Sequence, residues 1–269
     1  MKTSLSIWSQ FYYELSAEDA VLAFLRNGLD TMELADEHGL ELLSRSEDVV
    51  ATGRAFAAFL EEHHFSVPQG HLWLRIKLCE DADAMEKLFR WVDLYEAIGI
   101  RNMVLHCDPL SRTDLSFDER IARNADRLRE MAAYIEGREI CICLENLRGF
   151  TTSADHLLAV IDQIGSEQFG ICLDTGHLNL TEKDQRAFIL KAGKRLRALH
   201  IADNEGERDQ HMMPFGRGNV DFEEVVRALR EVDYEGLFNL EIPGESHVPM
   251  EVRAAKIRYV RECYDYLMR

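Results

Sequence analysis

The sequence predicts an α/β protein: a (β/α)8 barrel built from residues 1–269 as a single domain. Three observations carry this. Short β-branched or apolar runs alternate with longer amphipathic runs, and the alternation repeats eight times. No linker, composition shift or charge block interrupts it. No Gly-rich phosphate loop follows the first run, where Ser9-Gln-Phe-Tyr-Tyr stands instead. Alternation with buried-type strands argues a parallel sheet covered by helices, and eight units in a chain of about 250 residues argue closure into a barrel. An open doubly wound sheet is the alternative, and the missing Gly-rich loop disfavours it.

Taken in order, the strand candidates are residues 5–8, 31–35, 65–68, 102–106, 140–145, 169–174, 198–201 and 237–242. Each is too short for a helix and rich in the Val, Ile, Leu and Phe of buried parallel strands. A helix candidate follows each one. Capping chemistry marks several helix starts: Ser16 with Asp19, Thr181 with Asp184, and Asp221 with Glu224. Each pair puts a side-chain acceptor where the N–H groups of a first turn have no partner. The last helix is expected after Pro249.

Composition narrows the function classes. At 46% hydrophobic and 29% charged, with 5 Pro and 16 Gly in 269 residues, the chain is ordinary globular material able to bury a sizeable core. A formal net charge of −17 disfavours a nucleic-acid partner, because non-specific affinity for a phosphate backbone comes mainly from Lys and Arg. The N-terminus lacks the long apolar segment of a leader, and no stretch approaches the run of about 18 apolar residues that spans a membrane. A cytoplasmic protein with no membrane partner is the expectation. The 6 cysteines have no CxxC spacing, and Cys107, Cys141, Cys143 and Cys172 lie in or beside apolar runs, so they read as reduced packing residues.

The chemistry gathers where the strands end, on the face that builds barrel active sites. Glu145 ends Ile-Cys-Ile-Cys-Leu-Glu-Asn, and Asp174 ends Gly-Ile-Cys-Leu-Asp-Thr-Gly-His. His200 lies in Leu-Arg-Ala-Leu-His-Ile-Ala-Asp and Glu241 in Leu-Phe-Asn-Leu-Glu-Ile-Pro. One acid after a strand is ordinarily a helix cap or a solvated loop residue. Independent caps have no reason to choose the end of each apolar run on strands five to eight. Burying an ionised carboxylate costs several kcal/mol unless it is paired or bound to a cation, so three with an imidazole at one barrel mouth call for a divalent metal. The mixed oxygen and nitrogen set suits Mn²⁺, Co²⁺, Mg²⁺ or Zn²⁺. Further histidines deepen the site: His177 three residues after Asp174, His211 two after Asp209, His106 at the end of the fourth run and His71 after the third. Taken singly, each of these reads as a group that orients substrate or a ligand. Trp8 and Trp73, near the ends of the first and third runs, are candidates to stack on a sugar face, with packing the competing reading.

The Leu-Glu-Asn, Leu-Asp-Thr-Gly-His, Leu-His-Ile-Ala-Asp, Gly-Arg-Gly-Asn-Val-Asp-Phe and Leu-Glu-Ile-Pro segments together resemble the xylose isomerase-like TIM barrel superfamily of sugar phosphate isomerases/epimerases and endonuclease IV. Likeness to the ketose 3-epimerase branch implies one divalent metal on Glu145, Asp174, His200 and Glu241, with Glu145 and Glu241 doubling as the catalytic acid/base pair and His177 touching substrate. Likeness to the endonuclease IV branch implies three Zn²⁺ ions. His71 and His106 would join Glu145 at one zinc; Glu145, Asp174, His200 and Glu241 would hold a second; His177, Asp209 and His211 would hold a third. The chain departs from the 3-epimerases at two places. Their arginine six residues after the His ligand is replaced by Gly206, with Arg208 two residues later, and no second Glu stands six residues after Glu145.

The resulting expectation is a divalent-metal-dependent sugar isomerase or epimerase that passes a small polyhydroxy carbonyl compound, such as a ketose or inosose, through an enediolate. His177, His71, His106, Arg208 and Trp8 are its expected substrate contacts. The rival is a trinuclear zinc phosphodiesterase acting on abasic DNA, and a third reading is a barrel that only binds sugar or metal. Fold-level analogy adds a homodimer or homotetramer.

Overall fold

The computed structural model describes residues 3–111, 114–244 and 247–269. The eight strands are β1 (Ser4–Ile7), β2 (Thr31–Leu34), β3 (Ser66–His71), β4 (Asn102–Leu105), β5 (Cys141–Glu145), β6 (Phe169–Asp174), β7 (Leu196–His200) and β8 (Leu237–Leu240). Strands β2 to β7 pair in chain order and in parallel, and β1 pairs in parallel with β8. Single bridges, Trp8 to Glu33 and Ile201 to Leu240, join the two sheets and close the ring. This is the TIM barrel that the alternation predicts.

Helices wrap the outside: α1 (Ala17–Arg26), α2 (Asp36–Ser44), α3 (Val49–Glu62), α4 (Ala84–Ile98), α5 (Phe117–Ile135), α6 (Ala154–Ile164), α7 (Thr175–Asn179), α8 (Gln185–Ala192), α9 (Phe222–Glu231) and α10 (Met250–Leu267). Ser16 caps α1 by accepting from the Asp19 N–H at 3.1 Å, Asp221 caps α9 by accepting from Glu224 at 2.9 Å, and α10 starts after Pro249. Two local expectations are corrected. Thr181 does not open a helix: its hydroxyl donates back to the His177 and Leu178 carbonyls, and Asp184 caps α8 instead, accepting from the Ala187 N–H at 2.8 Å. The ionised carboxylate is the stronger acceptor, and the hydroxyl is already engaged by the preceding turn.

The third strand also continues past Pro68 to His71. Proline offers no N–H to the ladder, and the β2–β3 register slips there, with Thr31 opposite Ser66 but Glu33 opposite Gln69. The strand absorbs the proline as an irregularity and resumes. Gly70 lets it lie close to α4, because a Cβ there would sit 2.7 Å from the Tyr95 ring.

Side chains alternate across a strand, so every second residue points into the barrel. Val104, Cys143, Cys172 and Ala198 form an apolar layer of their own, set apart from the larger core that the strands share with the helices. On the other half of the ring, Ser6, Glu33, Gln69 and Asn239 are buried polar residues. Two positions further along the chain from these layers stand His106, Glu145, Asp174, His200, His71, Glu241 and Trp8. The pleat thus delivers the ionisable residues together at the carboxyl mouth of the barrel. The described cysteines are all free thiols, as expected.

Candidate metal centre

Three groups of potential ligands meet at this mouth, the ligand atoms within each lying within 4.8 Å of one another: Glu145, Asp174, His200 and Glu241; His71, His106 and Glu145; and His177, Asp209 and His211. The central group is fully buried. His200 Nδ1 lies 3.2 Å from Glu241 Oε2 and 3.4 Å from Glu145 Oε1. Yet His200 Nδ1, Glu241 Oε2 and Asp174 Oδ2 have no hydrogen-bond partner. Buried polar atoms left unpaired are costly and uncommon, and three converging on one spot suit a shared cation. The donor set therefore fits a divalent ion.

Glu145 joins the groups. Its Oε2 receives His71 Nε2 at 3.3 Å and His106 Nε2 at 3.0 Å, while its Oε1 lies 3.2 Å from His177 Nδ1. In the third group His177 Nε2 and His211 Nε2 approach the two oxygens of Asp209, at 3.2 and 3.1 Å. The Asp174 side chain also caps α7 by accepting from the His177 N–H at 2.7 Å, which fixes the start of the turn that carries His177.

The electrostatics follow from this crowding. Burial pushes the Asp174 carboxyl up to about 7. For Glu241 burial acts in the same direction, but the His200 and His211 rings outweigh it and bring the carboxyl down to about 2. Burial likewise opposes ionisation of Glu145, and the imidazoles around it reverse that and hold it well below the usual range. The His211 ring resists charge because it is buried, but the Asp209 hydrogen bond and the Glu241 and Asp174 charges raise it to about 10. Burial also disfavours charge on His200, which the surrounding acids more than offset. Cys172 lies beside Glu145 and His200 as a further potential ligand. Its thiol is pushed up by burial, which keeps it protonated and a poor donor to a metal.

The remaining expected contacts divide. Trp8 is buried, its Nε1 donates to the Ile242 carbonyl at 2.9 Å, and its ring lies parallel to His211 with centroids 6.3 Å apart. It forms a wall behind the third group. Arg208 is exposed on the loop before Asp209, where its charge acts on Glu205, and no described contact brings it to the ligand groups. In place of the second Glu of the 3-epimerases, Thr151 is buried and donates to the Glu145 carbonyl at 3.2 Å. His38 is buried on α2 and links the Ser9 hydroxyl to the Leu15 carbonyl, away from the ligand groups.

Sequence reasoning missed Glu33. It lies in the middle of Thr-Met-Glu-Leu, is fully buried and meets His200 Nε2 at 3.1 Å. The available signal was an acid inside an apolar run, at an inward-pointing position rather than at the end.

Clefts open on both sides of the centre. One of about 390 Å³ lies beside His106, with Leu74, Ile76, Lys77 and Leu147 in its walls. Another of about 250 Å³ lies beside His211, against Met212, Ile242, Pro243 and Lys256.

Comparison with known proteins adds three relatives and a family. The model of the xylose isomerase-like TIM barrel matches residues 22–263. The uncharacterized protein y4fM of Sinorhizobium fredii is 29% identical over 203 residues, which cover 72% of this chain and 61% of that protein. An L-ribulose 3-epimerase of Methylomonas sp. is 26% identical over 250 residues, covering 87% of this chain and 81% of that enzyme. The crystal structure of a D-psicose 3-epimerase with D-tagatose, from Clostridium cellulolyticum H10, superposes with a TM-score of 0.81 at 16% identity, covering 99% of each chain. At that identity the likeness is one of fold. The chain spans about half the length of several of the curated relatives it matches.

Proposed function

From the premise that this chain belongs to the xylose isomerase-like TIM barrel family, we propose that it is a divalent-metal-dependent sugar epimerase acting on a ketose or a related polyhydroxy carbonyl compound. The observation that carries the reading is the central group, in which two glutamates, Glu145 at the end of β5 and Glu241 just after β8, face one buried histidine. The 3-epimerase relatives support it.

Glu145, Asp174, His200 and Glu241 would hold the ion, and a bound divalent ion would supply Lewis acidity toward a carbonyl and its neighbouring hydroxyl, making the α-proton acidic enough for a carboxylate to remove. One of Glu145 and Glu241 would take that proton, and the other, having first taken up a proton from solvent, would give it to the opposite face of the same carbon and invert it. Return to the adjacent carbon gives isomerisation instead. A carboxylate held well below neutral is a weak base, and acidification of the α-C–H makes that tolerable. His177 would orient substrate oxygens through Nε2, exchanging its 3.2 Å contact with Asp209 for one with substrate, since Nδ1 is turned to Glu145 and Asp174.

A second reading has its own observation: the flanking groups of His71, His106 and Glu145 and of His177, Asp209 and His211 supply ligands beyond what one ion needs. This favours a multinuclear zinc phosphodiesterase, with the −17 charge against a DNA substrate. Elemental analysis of protein purified without chelators, with manganese, cobalt and zinc supplied, separates the two. One ion per chain together with epimerisation of a ketose panel is expected; three zinc ions with cleavage of abasic DNA would overturn the proposal.

A further inference from the structure

Beneath the central group a file of buried polar side chains runs across the barrel. The Ser6 hydroxyl donates to Asn239 Oδ1 at 2.8 Å, Asn239 Nδ2 donates to Glu33 Oε2, and Glu33 Oε1 faces His200 Nε2 at 3.1 Å. Ser6, Glu33, Asn239 and His200 are each 0% exposed, so water does not compete for these contacts.

The direction of each hydrogen bond is fixed by its neighbour. An asparagine whose oxygen accepts from Ser6 presents its NH2 to Glu33 Oε2, and a carboxylate, which has no proton to donate, accepts at its other oxygen as well. Its partner on the other side, His200 Nε2, must carry a proton. The lone pair of a neutral His200 is therefore on Nδ1, the atom left without a partner among Glu241, Glu145 and Asp174.

We infer that Glu33 is a positioning residue for the metal centre: with Asn239 and Ser6 behind it, its carboxylate holds the His200 Nε2–H, turns Nδ1 toward the ion and, through its charge, raises the basicity of that nitrogen. The inference rests on the metal reading of the central group. A carboxylate behind a histidine ligand fixes the ring and raises its basicity, and its loss commonly weakens metal binding by about 10–100-fold.

Glu33→Gln tests this with little disturbance of shape. The introduced amide accepts from His200 with its oxygen, while Asn239 turns over to accept from the new NH2 and to donate to Ser6. Hydrogen bonding is kept and the charge is removed. Chelator-treated wild type and Glu33→Gln are titrated with Co²⁺ in competition with a chromophoric chelator, while the visible absorption of bound Co²⁺ reports the ligand field. The expected result is binding at least about 10-fold weaker in the variant, with a shifted spectrum and an unchanged far-UV circular dichroism of the metal-free protein. Equal affinity and identical spectra would overturn the inference, since a purely structural role moves only stability. Absence of Co²⁺ binding by wild type would overturn the metal reading and this inference with it. If the variant fails to fold, ¹⁵N-histidine spectra of zinc-loaded wild type decide. Zinc on His200 Nδ1 with a proton on Nε2 supports the inference, and zinc on Nε2 contradicts it.

Discussion

The His211 ring gives a quantitative test of the electrostatics in the metal-free protein. Its pKa rises from 6.5 to about 10 on folding, chiefly against the cost of burial, through the Asp209 hydrogen bond and the Glu241 and Asp174 charges. A folded-state pKa raised above the unfolded value contributes stability that is complete below pH 6.5 and is lost as pH rises through about 10. The full contribution is on the order of 5 kcal/mol, and within that window it falls by about 1.4 kcal/mol per pH unit. The lowering of the Asp209 carboxyl by the same ring is the other face of this interaction and is counted once. The perturbation is His211→Asn, and the assay is guanidinium unfolding of both proteins at pH 7, 8 and 9 with chelator present. His177 shares Asp209 with His211 and His200 shares Glu241 with it, so the difference between the two slopes reports the linked group that His211 holds together. Wild type is expected to lose about 1.4 kcal/mol more per pH unit than the variant. Parallel slopes would refute the charged-ring picture of the third group.

Three further outcomes are expected. Glu145→Gln and Glu241→Gln should each slow solvent exchange of the substrate α-proton by at least about 10²–10⁴-fold, and full exchange in either removes that residue from the mechanism. Asp184→Ala should destabilise the protein by about 1 kcal/mol in urea unfolding, with Thr181→Ala costing less, because only Asp184 caps α8; the reverse order would contradict the assignment. Saturating metal at 100 times its dissociation constant should stabilise the folded state by about 2.7 kcal/mol, and an unchanged unfolding midpoint would count against a metal bound to the native centre.

Much of the barrel is legible because strand and ionisable residue announce each other. In Phe169–Asp174 an apolar run stops on an acid, so periodicity and chemistry mark the same boundary, and the observed strand has those ends. Pro68 misleads because its missing N–H reads as a stop, although a one-residue irregularity lets the strand run on to His71. Thr181 misleads because a hydroxyl and a carboxylate three residues apart are both plausible caps, and only the packed turn shows that the hydroxyl is engaged. Glu33 is the deeper case. Its partners His200 and Asn239 lie 167 and 206 residues away in the chain, and nothing local distinguishes an acid that serves a distant histidine from one on a solvated edge. For the ligand groups themselves, spacing gave the residue types, and the pleat of the closed sheet brings them within reach of one another. Arg208, placed by analogy of spacing alone, lies on an exposed loop whose path the spacing does not determine.

The central claim is that a metal held among Glu145, Asp174, His200 and Glu241 lets the two glutamates move a substrate α-proton. Its most direct test is NMR of a ketose panel in deuterated water with metal-loaded protein. Deuterium entering the carbon beside the carbonyl with metal, and not after chelation, is the result the account expects. No incorporation into any ketose, from protein that nevertheless cleaves a phosphodiester, would contradict it.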